Sequence, residues 1–245
     1  MRILFLGTGA SGGTPGRGRS RRGESSALIS EAGTRVLIDV TRDFGEQQRR
    51  IRGPLDAVLI THAHRDACGG LPELRRWLRG RSDGAIPLYA SASTIAALRR
   101  RFRRLDHCEL IPVREGGRRR IGPWTVSAVR VPHARERSIP TFAWRLTAAG
   151  RTLVYASDVA RLTPALRRFA GGAETLVIDG AMWGRSLFSH LTIDRELPAL
   201  CEWRVKRILL TQVGKTAPPH SRLTGEVASL CPRASPAYDG LNVTL

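Results

Sequence analysis

Four cysteines, Cys68, Cys108, Cys201 and Cys231, are scattered along the chain, and no two of them form a CxxC pair. That spacing argues against a structural zinc knuckle and against a disulfide framework, and it predicts a reducing compartment. Long apolar runs are absent as well: nothing approaches the roughly 20 residues that a membrane-spanning helix needs. The opening "MRILFLGTG" is apolar only for the length of one strand before it turns to glycine, too short for the core of a signal peptide. A soluble, cytoplasmic protein with no membrane partner is expected. Lysine is nearly missing: of 40 basic residues only Lys206 and Lys215 are lysines, and against 21 acidic residues the net charge is +19. Such a field draws anions and disfavours cationic substrates. Phosphorylated small molecules and nucleic acid both fit, although an arginine bias of this kind also follows from coding composition.

What is present is a dense succession of strand and helix signals over 245 residues. "RILFLGTG" reads as a strand ending in a glycine turn, and "SALIS" and "TRVLIDV" flank "EAG" as a hairpin. "RDFGEQQRRI" is a short helix, "LDAVLI" a strand, and "LPELRRWLRG" a helix with proline in its first turn. "IPLYAS" is followed by "SASTIAALRRRFRRL", an amphipathic helix with a serine cap. "WTVSAVRVPH", "TFAWRLTAAG" and "RTLVYASD" are three successive strands. "TPALRRFAGGA" (helix), "ETLVIDG" (strand), "TIDRELPALCEWR" (helix) and "VKRILLTQVG" (strand) alternate after them. The tail is expected to be loop-rich with a last strand at "GLNVTL". Hairpins first and strand–helix alternation later predict a mixed α/β protein of two sheets covered by helices. No repeat and no Pro/Ser linker divides it, so residues 1–245 are expected to form one domain.

The chemistry gathers at strand ends. His62, His64 and Asp66 follow "LDAVLI"; His133 follows "VSAVRVP"; Asp158 follows "TLVYAS"; Gln212 follows "RILLT". Strand C-termini in a layered α/β protein converge on one edge, so these groups are placed to meet in one cleft. Neutral imidazoles and carboxylates suit zinc, manganese or iron, and three protein ligands with an open position are the pattern of a catalytic metal. Such an ion lowers the pKa of bound water to about 7.

The segments "FLGTGASGGTP", "SSALI", "RVLIDVTRDFGEQ", "LITHAHRDACGGLPELR", "VPH", "YASD", "HLTIDRELPAL" and "LLTQVG" together resemble the metallo-β-lactamase superfamily. Within it they are most similar to the phosphodiesterase branch, which includes phosphoribosyl 1,2-cyclic phosphate phosphodiesterase and, more distantly, the tRNA 3′-processing endonucleases. The resemblance runs from residue 1 to about residue 215. It implies an αββα sandwich, two mixed β-sheets flanked by helices, with metal at one edge. It also implies His62, His64 and His133 as ligands of a first ion, Asp158 as a bridging ligand and Asp66 as a ligand of a second. The family motif is HxHxDH, and its last metal-binding histidine lies in "LLTH". Here Ala67 and Gln212 stand at those two positions, leaving an oxygen-only remnant of the second site, weak for zinc. One divalent ion, zinc by preference, is therefore expected, with the second in doubt.

His190, in "FSHLTIDREL", stands where relatives use a histidine to bind phosphate or protonate the leaving oxygen, a task that suits an imidazole near neutral pH. Asp66 is the other residue assigned a catalytic part. Between the first two strands some members of the branch carry a zinc knuckle; this chain has "GRGRSRR", in which Arg17, Arg19, Arg21 and Arg22 are expected to form a phosphate-attracting rim. The expected activity is hydrolysis of a small phosphorylated or cyclic phosphate substrate by metal-activated hydroxide. An RNA-processing nuclease and a degenerate member that binds its ligand without turnover are the alternatives, and a homodimer is compatible with either.

Overall fold

A computed structural model describes residues 1–81, 84–133 and 140–245. Its first sheet comprises β1 (Arg2–Gly7), β2 (Ser26–Glu31), β3 (Thr34–Ile38), β4 (Ala57–Leu59), β5 (Ile86–Ser91), β6 (Cys108–Val113) and, at the other end of the chain, β14 (Asn242–Thr244). The second comprises β7 (Arg118–Ile121), β8 (Trp124–Val131), β9 (Thr141–Ala148), β10 (Arg151–Ala156), β11 (Thr175–Asp179), β12 (Arg207–Thr211) and β13 (Ala234–Pro236). The strand orders are β14-β1-β2-β3-β4-β5-β6 and β13-β12-β11-β10-β9-β8-β7. Each sheet is antiparallel at its hairpins and parallel where helices carry the chain across. Helices α1 (Phe44–Gln47), α2 (Arg65–Cys68), α3 (Leu71–Leu78) and α4 (Ala92–Arg101) accompany the first sheet, and α5 (Pro164–Ala170), α6 (Ile193–Cys201) and α7 (His220–Leu230) the second. The expected αββα sandwich of two mixed sheets is what the chain forms.

The near-continuous apolar character of the strands has a direct cause: both faces of each sheet are covered. In β1, Ile3 and Phe5 enter the core between the sheets, while Leu6 packs under the helices. In β10, Leu153 and Tyr155 face that central core and Val154 and Ala156 the outer one. The β2–β3 turn places Ala32 and Gly33 at φ 46° and 83°, the geometry of a tight hairpin. Ser91 caps α4, accepting from the Thr94 amide as its position in the sequence suggests. A further contact explains the "GG" that follows α2. A Cβ on Gly70 would come within 2.0 Å of the Thr41 carbonyl oxygen, so the chain there tolerates no side chain.

Two expectations need correction. The tail is not all loop, because residues 220–230 form α7. Thr224, Gly225 and Ser229 are weak helix formers and hide the pattern, but Leu223 and Val227, four apart, are buried on one face against the outer core of the second sheet. Burying each contributes about 1.5–3 kcal/mol, enough to override local propensity. The cysteines are also not all unpaired: Cys201 at the end of α6 and Cys231 just after α7 form a disulfide, with Cα atoms 5.6 Å apart. Their separation of 30 residues carries no spacing signal, and only the packing of the two helices joins them. Cys68 and Cys108 are free and buried. No described helix is long and apolar enough to cross a membrane.

Candidate metal centre

β3, β4, β8, β10, β11 and β12 all release the chain at one edge of the sandwich, where Asp39, His62, His133, Asp158, Asp179 and Gln212 collect. Imidazole nitrogens of His62, His64 and His133 lie within 4.8 Å of one another. Their ring centroids are 4.6, 5.0 and 5.2 Å apart, pair by pair.

The hydrogen bonds behind these rings decide which nitrogen of each is free. Thr61 Oγ1 donates to the carboxylate of buried Asp39, 3.0 Å from either oxygen, and lies 2.9 Å from His62 Nδ1. A hydroxyl that has given its hydrogen to a carboxylate offers the imidazole only lone pairs, so His62 carries its hydrogen on Nδ1. Its Nε2 is then bare, and that atom is buried with no hydrogen-bond partner among the described residues. His133 Nδ1 lies 2.8 Å from the Ser189 carbonyl oxygen, which only accepts, so His133 Nε2 is bare as well. It faces His64 Nδ1 at 3.2 Å. Burial pushes His62 down to about 3 and lowers His64 too, so both rings are neutral at physiological pH. The buried Nε2 of His62, left without a partner among the described residues beside the facing nitrogens of His64 and His133, is costly unless a cation takes its lone pair. The side chains fit a divalent ion on this ground. Asp158 joins them, its Oδ1 3.9 Å from His133 Nε2. Burial alone would raise its carboxyl, but the neighbouring imidazoles of His62, His133 and His190 and the Ser157 hydroxyl hold it below the usual carboxylate range.

The other half of the centre is different. Asp66 Oδ1 stands 4.0 Å from His62 Nε2. Burial, with Asp158 and Glu24 nearby, raises this carboxyl to about 6. Ala67 is a buried methyl on α2. Gln212 is buried at φ 58°, a left-handed conformation held by the Val213 amide donating to Thr8. Its Nε2 donates to Asp158 Oδ1 at 2.6 Å, and its Oε1 has no partner among the described residues. Beyond His62, no imidazole among the described residues is placed at Asp66.

His190 lies on the loop between β11 and α6. Its Nδ1 is 2.7 Å from Asp179 Oδ2, and Asp179 also accepts from the amides of Val159 and Ala181 at 2.9 and 2.8 Å. Burial opposes the charged ring, but the Asp179 carboxylate, through its charge and its hydrogen bond, raises His190 to about 9. His133, Asp158 and His190 also place ligand atoms within 4.8 Å of one another. A protonated ring has no lone pair to give, so the trio of His62, His64 and His133 is the better ligand set.

The arginine loop behaves differently from expectation. It is tied down by bridges from Thr14 to Arg22 and from Gly9 to Glu24 and Val213. Arg22 is not a rim residue: it is 3% exposed, and its guanidinium donates to Thr8 Oγ1, the Ala237 carbonyl and His220 Nδ1. Burial lowers it to about 10. Arg17, Arg19 and Arg21 are exposed, with Arg19 over the Tyr238 ring at 4.2 Å. Arg19 and Arg21 line a cavity of about 1050 Å³ with Lys215 and Asp239, and none of the clustered histidines lines it. His220 is engaged by Arg22 and substitutes for no ligand at Gln212.

Asp39, Thr61, Asp179 and Ser189 escape the sequence reading. Two of them carried a signal: "VLIDV" and "LVIDG" end apolar strands in an aspartate just as "YASD" does. Thr61 and the Ser189 carbonyl carried none.

The family model described as "Beta-lactamase superfamily domain" matches residues 34–211. An octanoyltransferase of Porphyromonas gingivalis is 27% identical over 273 residues, which take in all of this chain. The chain spans only 52% of that protein's length. Among solved structures, a diphosphatase from the PhnP family superposes with a TM-score of 0.87 at 24% identity, over 100% of this chain and 97% of the other. Zinc-bound PqqB from Methylobacterium extorquens superposes with a TM-score of 0.86 at 21% identity, covering both chains fully.

Proposed function

Because the chain belongs to the beta-lactamase superfamily, whose domain covers residues 34–211, we propose that it is a metal-dependent phosphodiester hydrolase working with one resident ion. The observation that carries this reading is the pairing of two differently prepared sets of histidines at one edge. Ligand nitrogens of His62, His64 and His133 converge within 4.8 Å, and beside them His190 is charged by Asp179. His62, His64, His133 and Asp158 would hold the ion, and zinc suits a set of imidazoles and one carboxylate. A divalent ion there supplies Lewis acidity and a water acidic enough to ionise near neutral pH.

The chain's own residues do the rest. Asp39 and Thr61 fix the His62 ring, and Ser189 fixes His133, so the inward nitrogens stay aimed. His190 holds a proton on Nε2 for the leaving oxygen, while Asp179 keeps the ring oriented through Nδ1. Gln212 clamps Asp158 through its amide. Likeness to a diphosphatase supports a substrate with a phosphorus–oxygen bond to cleave, and the excess of arginine supports an anionic one.

The missing imidazoles at Ala67 and Gln212 favour a second reading, in which a phosphorylated ligand is bound without turnover. Metal analysis and hydrolysis assays on chelator-free protein separate the two. The expected result is one ion per chain and turnover of a small or cyclic phosphodiester, with His133→Ala losing both. An ion without turnover of any phosphodiester, RNA included, favours the binding protein. Full ion content and full rate in His133→Ala would overturn the site itself.

A further inference from the structure

Arg42 sits on the side of the centre where ligands are missing. Its Nε donates to Glu24 Oε1 at 2.9 Å, and its Nη2 bonds the same oxygen and reaches Ser11 Oγ at 3.2 Å. Glu24 is fixed in turn by the amides of Gly12 at 2.8 Å and of Arg42 itself at 3.0 Å. The two partners differ sharply in exposure: the Glu24 side chain is 1% exposed and that of Arg42 43%. A buried carboxylate therefore holds an outward-facing guanidinium, and Nη1 makes no hydrogen bond to a described residue. The stem of Arg42 runs beside α2, where Gly69 makes room for it; a Cβ there would come within 2.7 Å of Arg42 Cγ. Asp66, 4.0 Å from His62 Nε2, attracts the same guanidinium. The cation is thus tethered at the Asp66 edge, the half that Ala67 and Gln212 leave without imidazoles.

A phosphodiester bound at a one-ion centre has oxyanions that this ion alone does not neutralise. Building on the phosphodiesterase reading, we propose that Arg42, held by Glu24, is the anchor for a non-bridging phosphate oxygen of the substrate, in the position of charge that a second ion would otherwise occupy. A guanidinium with a free edge pairs with phosphate oxygens directly, and the rigid backing lowers the entropy lost on binding. Glu24 is a positioning residue here and touches no substrate.

The test uses the metal-loaded full chain and inorganic phosphate as probe, measured by calorimetry, so it does not depend on turnover. Arg42→Met is expected to keep one ion per chain by metal analysis while weakening phosphate about 10- to 100-fold. Arg42→Lys, which keeps the charge and the stem, is expected to recover part of that loss and guards against a folding defect. Where the wild type turns over a phosphodiester, KM should rise in parallel. Unchanged phosphate affinity in an ion-replete Arg42→Met protein overturns the proposal. If the wild type binds phosphate through Arg42 yet hydrolyses no phosphodiester, the anchor stands and the catalytic reading falls.

Discussion

Replacing Asp179 by asparagine removes one charge from behind His190, together with the acceptor oxygen that the ring shares with the Val159 amide. The amide keeps the volume and an oxygen for the Ala181 amide, but it no longer attracts a proton to the ring. His190 is raised to about 9 by Asp179 against the opposing effect of burial. Without the Asp179 charge, burial still opposes the charged ring while Asp158 and Asp66 still favour it, so the ring falls back toward its ordinary value of about 6.5. At pH 8 the wild-type ring is then about nine-tenths protonated, and a variant ring that reached 6.5 would be about 3% protonated, so the acid form falls by up to roughly 30-fold. At pH 6 the same comparison gives less than about twofold. The assay is a kcat/KM profile from pH 6 to 9 on a phosphodiester with a poor leaving group, beside one with an activated aryl leaving group that needs no proton. A divalent ion in the centre repels the protonated ring in both proteins and lowers both limbs together, leaving the difference between them.

Stability moves the other way along the pH axis, which makes the prediction harder to satisfy by accident. A raised histidine pKa contributes stability that is full below the unfolded value near 6.5 and is lost as pH rises through about 9. The gap corresponds to about 3 kcal/mol at most. Asp179→Asn should therefore be least stable relative to wild type at pH 6, where its activity is least impaired. Equal kinetic losses at pH 6 and pH 8, or equal losses on both substrates, would refute an acid role for His190.

Two other outcomes follow from the same geometry. The double change Ala67→His with Gln212→His should bind a second ion, because it adds two imidazoles to Asp66 and Asp158, and histidine tolerates the left-handed backbone at position 212; a folded double mutant that still holds one ion by metal analysis would show that the backbone no longer converges there. Replacing Cys201 and Cys231 by serine should lower unfolding stability by about 3–4 kcal/mol for a loop of 30 residues, read from denaturant melts with and without reductant; coincident midpoints would remove the disulfide from the account.

Much of the sandwich was legible in the chain because its strands are covered on both faces. Runs such as "VLI" in β3 and "LVYA" in β10 are buried at every position, so strand and burial are read together. β6 and β7 lacked that mark. β6 alternates buried and exposed irregularly around Pro112, and β7 is three arginines and an isoleucine at the sheet's edge, stabilised by pairing with β8. α7 was hidden for the opposite reason, since its sequence disfavours a helix that burial of Leu223 and Val227 imposes. Arg22 looked like its neighbours Arg19 and Arg21; only the fold brings Thr8, Ala237 and His220 around it.

The inward imidazoles were readable because ligands must be particular residue types at strand ends. Their supports were not, since a hydroxyl or a backbone carbonyl serves as well as a carboxylate behind an imidazole, and position alone selects it. The same asymmetry governs the depleted half. Ala67 and Gln212 read as two deletions, yet in the folded chain Gln212 holds Asp158 and a tethered guanidinium faces the same edge. With Asp66, Asp158 and Glu24 gathered there, removal of an ion's two charges leaves carboxylates that need compensation. Arg42 supplies one positive charge and the Gln212 amide a hydrogen bond.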